Sequence, residues 1–405
     1  MSKLRQKKQE RGTLFGLALV TALRMLGFSL VLPVFVLYGH ELSDSPFLVG
    51  LALGAYGITQ AIFQVPFGML SDRWGRKPLL LLGLFLFGCG SLLGIAPVKI
   101  AIYLGSPESA IYILILCRLL QGAGAITAII FAFVADIIPA ERRSVGMAWV
   151  GMPIGIAMSA GIILGPILGS SYGFGFLFVL TSILVALAFC YCLFFVKEPP
   201  RHLHHEEVEL NTASLIEVLP DSRLLRLDAC GFITDFLMTA LFFILPLIMA
   251  EHLAVKQFWR IYAPMLIFGL IVMFIGSRLA DRGLSRYVFV GAYLSMGTGF
   301  ACLSQAGIIW LLLASLFIYS GVSILHPVMP STVTKLVPRR YMGTATGVFN
   351  FFLYLGAFCG GSSSGYLSDH WGRNNLIYLM VSLSLLAAFL VGTLNDLDAP
   401  VVEQA

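Results

Sequence analysis

The chain has 405 residues, of which 58% are hydrophobic and only 12% charged, and its formal net charge is +5. Soluble proteins carry about 25% charged residues, so this composition excludes a soluble globular protein and indicates a polytopic membrane protein. The positive charge does not indicate nucleic-acid binding, because the basic residues fall in short segments between apolar runs. All seven cysteines lie within apolar runs, and their spacing predicts neither a disulfide nor a zinc site.

Twelve apolar runs are long enough to cross a bilayer, since about 20 residues at 1.5 Å each cross a hydrocarbon core of ~30 Å. They predict an all-α membrane protein with twelve transmembrane helices. The predicted spans, numbered 1 to 12 in chain order, cover residues 13–39, 48–70, 78–98, 109–136, 144–168, 173–196, 224–250, 257–279, 286–305, 307–334, 342–367 and 374–394. The first run is too long for a signal peptide, so we expect an uncleaved first span.

The basic residues predict the orientation of these spans. Twenty of the 26 Lys and Arg residues fall at one face, and four fall at the other. The positive-inside rule therefore places both termini in the cytoplasm, and we expect an inner (plasma) membrane protein. A polar linker at residues 197–223 divides the chain into six-helix bundles at 1–196 and 224–405. Its motif from His202 to Glu207 fits a metal site or a solvated linker; we expect the linker and no metal.

The turn between spans 2 and 3 is strongly charged. Asp72, Arg73, Arg76 and Lys77 cannot enter lipid cheaply, so the turn lies at a membrane face. The pattern G-x-L-x-D-R-x-G-R-K resembles the signature loop of the major facilitator superfamily. The matching positions are Gly68, Leu70, Asp72, Arg73, Gly75, Arg76 and Lys77. This resemblance implies the major facilitator fold and a cytoplasmic gate in which Asp72, Arg76 and Asp136 form a charge cluster.

Internal repeats support two related halves. The segment Gly276–Arg282, after span 8, echoes the turn between spans 2 and 3, and so does Gly365–Arg373 after span 11. Asp136-x-x-Pro139 after span 4 likewise matches Lys335-x-x-Pro338 after span 10. Three-helix repeats within six-helix halves are typical of this superfamily.

Spans 1 and 4 each place an arginine deep in the predicted membrane. Arg118 shares a helix face with Gln121 and Gly122, a pattern that resembles the R-x-x-Q-G motif of the same superfamily. Arg24 reaches a similar depth in span 1. Burying a cation is expensive, so both arginines are candidate substrate-cavity residues. The alternative is that each is a structural hub that donates hydrogen bonds to backbone carbonyls.

Span 5 contains Gly161-x-x-x-Gly165-Pro166-x-x-Gly169. Glycines at this spacing allow two helices to approach closely in lipid, and the proline bends the helix. The pattern resembles the motif of drug–proton antiporters. The alternative is ordinary helix packing, since such spacing is common.

Polar stripes at helical spacing predict further cavity positions. Polar groups that face lipid go unsatisfied, so these stripes face the protein interior. The alternative for any one of them is a hydrogen bond between helices. The candidate substrate-cavity residues are Arg24, Tyr56, Gln60, Gln64, Arg118, Gln121, Tyr319, Asn350 and Tyr354.

Asp235 and His326 are the candidate proton-coupling residues. Asp235 lies about 11 residues into span 7, near the midplane of a ~30 Å core, and His326 in span 10 falls at a similar depth. A carboxyl between desolvation and a nearby cation can load and release a proton. The alternative is an Asp235 paired permanently with an arginine or bonded to Thr239, with Asp136 as the next coupling candidate.

The resemblance covers nearly the whole chain and is closest to twelve-span bacterial drug–proton antiporters of the YajR type. It implies a transporter that exports a small molecule in exchange for protons that enter the cell. The expected partners are the small-molecule substrate, the lipid bilayer and protons, and the expected oligomeric state is a monomer. No P-loop motif is present, so we expect no cofactor and no direct use of ATP. Gly361-x-Ser363-x-Gly365 lies inside span 11 rather than on a strand-to-helix turn, so we expect no enzyme activity.

Two alternatives to export remain open. The protein could instead take up a metabolite with protons, or it could be a receptor that does not transport. Span 1 carries no acid inside it, although exporters of cationic drugs often have one there. That difference favours a neutral or anionic amphiphilic substrate.

Overall fold

The computed structural model describes residues 3–138, 143–198, 221–338, 341–394 and 397. Every regular element within those ranges is helical. Eleven helices there are long and apolar enough to cross a membrane. One of them, Val255–Cys302, has 48 residues, more than twice the length of one crossing, and consists of two helices joined at a kink at Gly283, whose φ of 81° is not helical. It therefore provides two crossings, and the prediction of twelve spans is confirmed for the described chain.

The first compact unit comprises Met1–Leu203 and Ala254–Trp259 and holds spans 1 to 6. Its helices are Lys3–Val31 continued by a 3-10 turn and Phe35–Leu42 (span 1), Pro46–Trp74 (span 2), Arg76–Leu93 (span 3), Ala110–Ala123 and Thr127–Ile137 (span 4), Arg143–Tyr172 (span 5) and Phe174–Phe195 (span 6). Leu17, Leu84, Phe133 and Val185 are fully buried in its core. Span 3 ends at Leu93, with Gly94 as its C-cap, rather than at the predicted residue 98, and a short separate helix, Pro97–Tyr103, follows.

The second compact unit comprises His204–Leu253 and Arg260–Ala405 and holds spans 7 to 12. Its helices are Ser222–His252 (span 7), Trp259–Leu279 (span 8), Ser285–Cys302 (span 9), Ile308–Lys335 (span 10), Met342–His370 (span 11) and Gly372–Gly392 (span 12). Most of the predicted linker, including the His202–Glu207 motif, lies outside the described residues. Within the described ranges no group of three His, Cys, Asp or Glu side chains could hold a metal ion.

Span 4 is broken near its middle, which corrects the continuous helix expected over 109–136. Residues 124–126 are not helical, and Gly124 has ψ of 52°. The N–H of Gly124 still donates to the Leu120 carbonyl at 3.3 Å, but its own carbonyl leaves the helical ladder and accepts from the N–H of Ile126 at 2.9 Å, which leaves it open to a second, side-chain donor. A Cβ at Gly124 would overlap the carbonyl oxygen of Gly83 in span 3, so the close approach of these helices requires glycine here.

Four turns of the chain share one backbone feature. A glycine with positive φ stands between spans 2 and 3, 5 and 6, 8 and 9, and 11 and 12: Gly75 (103°), Gly173 (87°), Gly283 (81°) and Gly372 (79°). Each of these four turns follows the second helix of a group of three. The two other described glycines with positive φ, Gly105 and Gly307, lie between spans 3 and 4 and between spans 9 and 10, so they also recur at matching places in the two halves. The spacing supports the three-helix repeats that the sequence predicts.

Small residues let two pairs of helices pack closely. A Cβ at Gly161 or Gly165 of span 5 would overlap Ser29 or the Leu30 carbonyl of span 1. In the second unit, a Cβ at Gly356 or Gly360 of span 11 would overlap backbone carbonyls of span 7 in the same way. Both contacts follow the spacing of four residues that brings helix backbones together in lipid.

Candidate functional site

The charged turn between spans 2 and 3 is centred on Arg76. Its Nη1 lies 2.5 Å from Oδ1 of Asp72, and its Nε donates to Oδ2 of Asp136 at 2.8 Å. Nη1 also donates to the hydroxyl of Ser71 at 2.6 Å. The predicted charge cluster of Asp72, Arg76 and Asp136 is therefore present. Asp136 is more deeply placed, with 11% of its side chain exposed against 42% for Asp72.

Other residues of this signature lie around the turn. Arg73 is exposed, and Gly68 is half-buried. The ammonium of Lys77 donates to the Leu193 carbonyl at 2.7 Å, which ties the turn to the end of span 6.

Glu198 is a residue of this site that the sequence analysis missed. Its carboxylate accepts hydrogen bonds from the backbone N–H groups of Arg76 at 2.5 Å and Lys77 at 2.8 Å. It caps the first turn of span 3, where a negative charge is favourable. Gly75 makes room for it, since a Cβ there would lie 2.8 Å from Oε1 of Glu198. An acid directly after span 6 was visible in the sequence, but its partner 122 positions earlier was not.

Arg24 joins span 1 to the break in span 4. Its Nη2 donates to the Gly124 carbonyl at 3.0 Å and to the Tyr56 hydroxyl at 3.3 Å. Its guanidinium lies over the ring of Phe87, 4.8 Å from the centroid. The side chain is 1% exposed. Arg24 therefore makes the carbonyl contact expected of a structural hub.

Arg118 is held mainly by aromatic faces. Its guanidinium carbon lies 5.0 to 5.1 Å from the ring centroids of Phe28, Phe35 and Tyr56. Its Nη1 donates to Oε1 of Gln121 at 2.8 Å. The amide of Gln121 in turn donates to Ser91 at 3.0 Å, which fixes the amide orientation.

The two arginines, with Tyr56 between them, form what we call the arginine cluster: Arg24, Tyr56, Arg118 and Gln121. No carboxylate of the described chain forms an ion pair with either arginine, and both Nε atoms are buried without a hydrogen-bond partner there. Nearby in span 2, Gln60 donates to Gln64 at 2.7 Å, while its own Oε1 is buried and unpartnered among the described residues.

Asp235 and His326 meet inside the second unit. Nε2 of His326 lies 3.2 Å from Oδ1 of Asp235. The atoms are close enough for an ion pair, but they are not aligned for a hydrogen bond, and neither atom has another such partner in the described chain. The carboxylate is nearly buried at 9% exposure, whereas the imidazole is 37% exposed. No hydrogen bond joins Asp235 to Thr239 and no described arginine pairs with it, so neither structural alternative is observed.

A buried polar group anchors the helix beside Asp235. The hydroxyls of Thr234 and Tyr293 lie 2.7 Å apart, and Tyr293 donates to the Cys230 carbonyl at 2.8 Å. The sequence analysis missed Tyr293, because a lone tyrosine in span 9 has no polar stripe around it. Asp228 is also buried on span 7, two turns before Asp235.

The three remaining cavity candidates lie in spans 10 and 11. Tyr319 packs against Gly269 of span 8, where it limits the space for any larger residue. Asn350 and Tyr354 are half-buried.

The span 5 motif is a contact surface within the first unit. Gly161 and Gly165 meet span 1, and a Cβ at Gly169 would lie 2.9 Å from the Phe174 ring. Pro166 lies within the helix Arg143–Tyr172 without ending it.

The sequence and the fold were compared with those of known proteins. The family model described as Major Facilitator Superfamily matches residues 17–361. The chain is 33% identical over 373 residues to the inner membrane transport protein YajR of Escherichia coli (strain K12), covering 91% of this chain and 80% of that protein. It is 24% identical to a class B tetracycline resistance protein of Escherichia coli, covering 81% and 82%. A solved D-xylose–proton symporter superposes with a TM-score of 0.75 at 16% identity, covering 95% and 99%. This chain therefore belongs to the major facilitator superfamily, and it is a membrane-spanning protein with the fold of small-molecule transporters.

Proposed function

We propose that this protein exports a small molecule across the membrane in exchange for protons. The observation that carries the proposal is the pair of Asp235 and His326, which lies deep in the second unit. When two titratable groups lie 3.2 Å apart, binding of a proton to one changes the free energy of binding a proton to the other.

The different exposure of the two groups supports a role in proton exchange. The carboxylate is nearly buried, while more than a third of the imidazole surface is accessible. Histidine titrates near neutral pH, so it can pass protons between water and the carboxylate. A buried acid inside a membrane is energetically costly, and such a residue is by default a candidate functional group. No bound cofactor is part of this proposal, because the proton gradient supplies the driving force.

The direction of transport is proposed from the relatives. The class B tetracycline resistance protein is a relative that matches 81% of this chain. A membrane transporter confers resistance to a drug by moving the drug out of the cell. The excess of Lys and Arg at one face supports a cytoplasmic position for the charged turn around Arg76 and for both termini. The relative YajR, an inner membrane transport protein, supports the inner membrane as the location, and we propose a monomer.

Everted vesicles test this proposal directly. Vesicles that carry the protein are acidified by respiration, and tetracycline, 2-naphthoate and 2-naphthamide are added while a pH-sensitive dye reports the internal pH. We expect at least one compound to enter and to release protons in wild type, and neither effect in vesicles that carry Asp235→Asn. Compound uptake by intact cells would establish the opposite direction. Compound movement that is independent of the gradient would refute proton coupling.

A further inference from the structure

The arginine cluster holds two positive charges that the described chain does not neutralise. Arg24 and Arg118 are 1% and 3% exposed, and neither forms an ion pair with a described carboxylate. A buried cation is costly unless a counter-charge lies beside it. Their neighbours are a backbone carbonyl, a tyrosine hydroxyl, an amide and aromatic rings.

Several donors of the cluster are also unused. Each guanidinium presents five N–H donors. Arg118 uses one of them, toward Gln121, and its Nε is buried without a partner among the described residues. The Nε of Arg24 is in the same state. Purely structural arginines would have most of these donors satisfied by fixed acceptors.

Tyr56 connects the two charges. Its hydroxyl accepts from Arg24 at 3.3 Å, and its ring lies 5.0 Å from the guanidinium carbon of Arg118. Phe28 packs on the same ring at 4.8 Å. Both aromatic side chains are partly exposed, whereas the arginines are not. Tyr56 therefore contacts both guanidinium groups, and Phe28 and Phe35 contribute apolar ring faces beside Arg118.

We propose that the arginine cluster is the anion-binding part of the substrate site, and that the transported molecule is an amphiphilic organic anion with an aromatic body. This inference deepens the proposed function and rests on it. The anionic group supplies the missing counter-charge and accepts charge-assisted hydrogen bonds from both guanidinium groups. The aromatic body replaces the ring faces that now cover Arg118.

Three ligands of one shape test the charge preference. Purified full-length protein in a neutral detergent is heated with 2-naphthoate, 2-naphthamide or 2-naphthylmethylammonium. A ligand that binds only the folded state stabilises it by RT ln(1 + [L]/Kd), so at a fixed ligand concentration a tighter ligand gives a larger rise in Tm. We expect stabilisation by the anion alone. Equal stabilisation by the neutral amide, or stronger stabilisation by the cation, would overturn the proposal.

Substitutions at Arg24 and Arg118 test whether 2-naphthoate binds at the arginine cluster. We expect Arg24→Gln and Arg118→Gln to weaken 2-naphthoate binding by at least about tenfold, the size of one lost charge-assisted contact. Arg260→Gln removes an exposed guanidinium of the second unit and should leave the affinity unchanged. Arg24→Lys and Arg118→Lys keep the charge and should bind more tightly than the Gln variants. Wild-type affinity in both Gln variants would refute the assignment. If those variants do not fold, the comparison of the three ligands on the wild-type protein is the test that remains.

Two further experiments distinguish a substrate site from a lipid-binding site and distinguish this inference from the proposed transport function. Anionic lipid shares the chemistry of the ligand, so the binding is repeated in phosphatidylcholine nanodiscs with and without phosphatidylglycerol. If phosphatidylglycerol abolishes 2-naphthoate binding in wild type, the cluster binds a lipid headgroup and the substrate assignment is wrong. If 2-naphthoate binds through the arginines but no compound moves protons in vesicles, the transport proposal fails while the anion site stands. Proton-linked transport of neutral compounds alone would give the reverse result.

Discussion

The guanidinium of Arg24 donates a hydrogen bond of 3.0 Å to the backbone carbonyl of Gly124, one hundred positions further along the chain. This contact explains why span 4 can break in the middle of the first unit. A carbonyl that leaves the helical ladder in a membrane needs other donors, and the Gly124 carbonyl has two, the N–H of Ile126 at 2.9 Å and the guanidinium of Arg24. The deep arginine of span 1 and the break in span 4 are therefore one structural feature.

Gly124→Ala tests how tightly this break is packed. The added methyl group would overlap the carbonyl oxygen of Gly83, so the helices must separate. We expect a loss of about 1–3 kcal/mol, the usual cost of overpacking. Gly151→Ala is the matched control, because its methyl group would meet nothing within 4 Å. Thermal unfolding of the two purified variants is the measurement, and an equal Tm for both would contradict the prediction.

The two acids that flank Arg76 should differ in importance. Asp136→Asn leaves a buried guanidinium short of its counter-charge, and removing one partner of a buried pair costs about 3–5 kcal/mol. Asp72 is 42% exposed, so Asp72→Asn should cost only about 0–1 kcal/mol. We expect Asp72→Asn to reach the membrane in normal amounts but to transport poorly, because it weakens a gate contact. Expression, Tm and transport are compared, and wild-type transport by Asp72→Asn would exclude the gate role.

Glu198 should stabilise the start of span 3. Glu198→Gln removes the negative charge that accepts from two backbone N–H groups, and we expect a loss of about 0.5–2 kcal/mol. Glu108→Gln changes an exposed acid of the same unit and serves as the control. Thermal unfolding again reports the difference. If the two variants unfold at the same temperature, the cap contributes nothing measurable.

The sequence predicted the spans well because a bilayer imposes a fixed length of apolar chain on every crossing. It also predicted the contact of Arg76 with Asp72 and Asp136, through a family signature, and the shared depth of Asp235 and His326. Counting residues from the end of a span gives the depth of a side chain in the membrane. Two groups at the same depth meet if their helices are neighbours and are rotated so that the two side chains face each other.

The features that were missed depend on contacts between distant segments. The Gly124 carbonyl at the break accepts from a donor in span 1, and no local pattern around the glycine indicates that donor. Glu198 and Tyr293 act through partners 122 and 63 residues away. A Cβ added at Gly151 or Gly155, which precede the span 5 motif, would meet nothing within 4 Å, although their spacing matches that of Gly161 and Gly165. Spacing alone does not say which face of a helix has a partner.

The span 5 motif and its counterpart in span 11 should behave alike. Gly165→Leu would overlap the Leu30 carbonyl, and Gly360→Leu would overlap the carbonyl of Phe236. We expect both variants to insert normally and to lose coupled transport or leak protons, because close helix contacts are disturbed. Gly155→Leu has open space and is the control. If only Gly165→Leu impairs proton flux, the motif has an antiporter role beyond packing.

Asp235 should be the residue whose neutralisation uncouples the transporter. Asp235→Asn keeps the shape of the side chain but removes the charge that faces His326 at 3.2 Å. We expect the variant to bind its ligand with unchanged affinity and to release no protons on binding. Asp228→Asn is the matched variant, since that acid is buried on the same helix but pairs with no described histidine. It should retain proton release.

His326→Ala completes this comparison. The imidazole ordinarily titrates near neutral pH, so its removal should take away the limb of the pH–rate profile that falls in that range. Asp235 remains in this variant, and we therefore expect transport to continue with a shifted optimum rather than to stop. The measurement is initial transport rate against pH for wild type, His326→Ala and Asp235→Asn. Proton release by Asp235→Asn equal to that of wild type would move the coupling group elsewhere, and Asp136 would be tested next, because it is the other acid held against a basic side chain at low exposure.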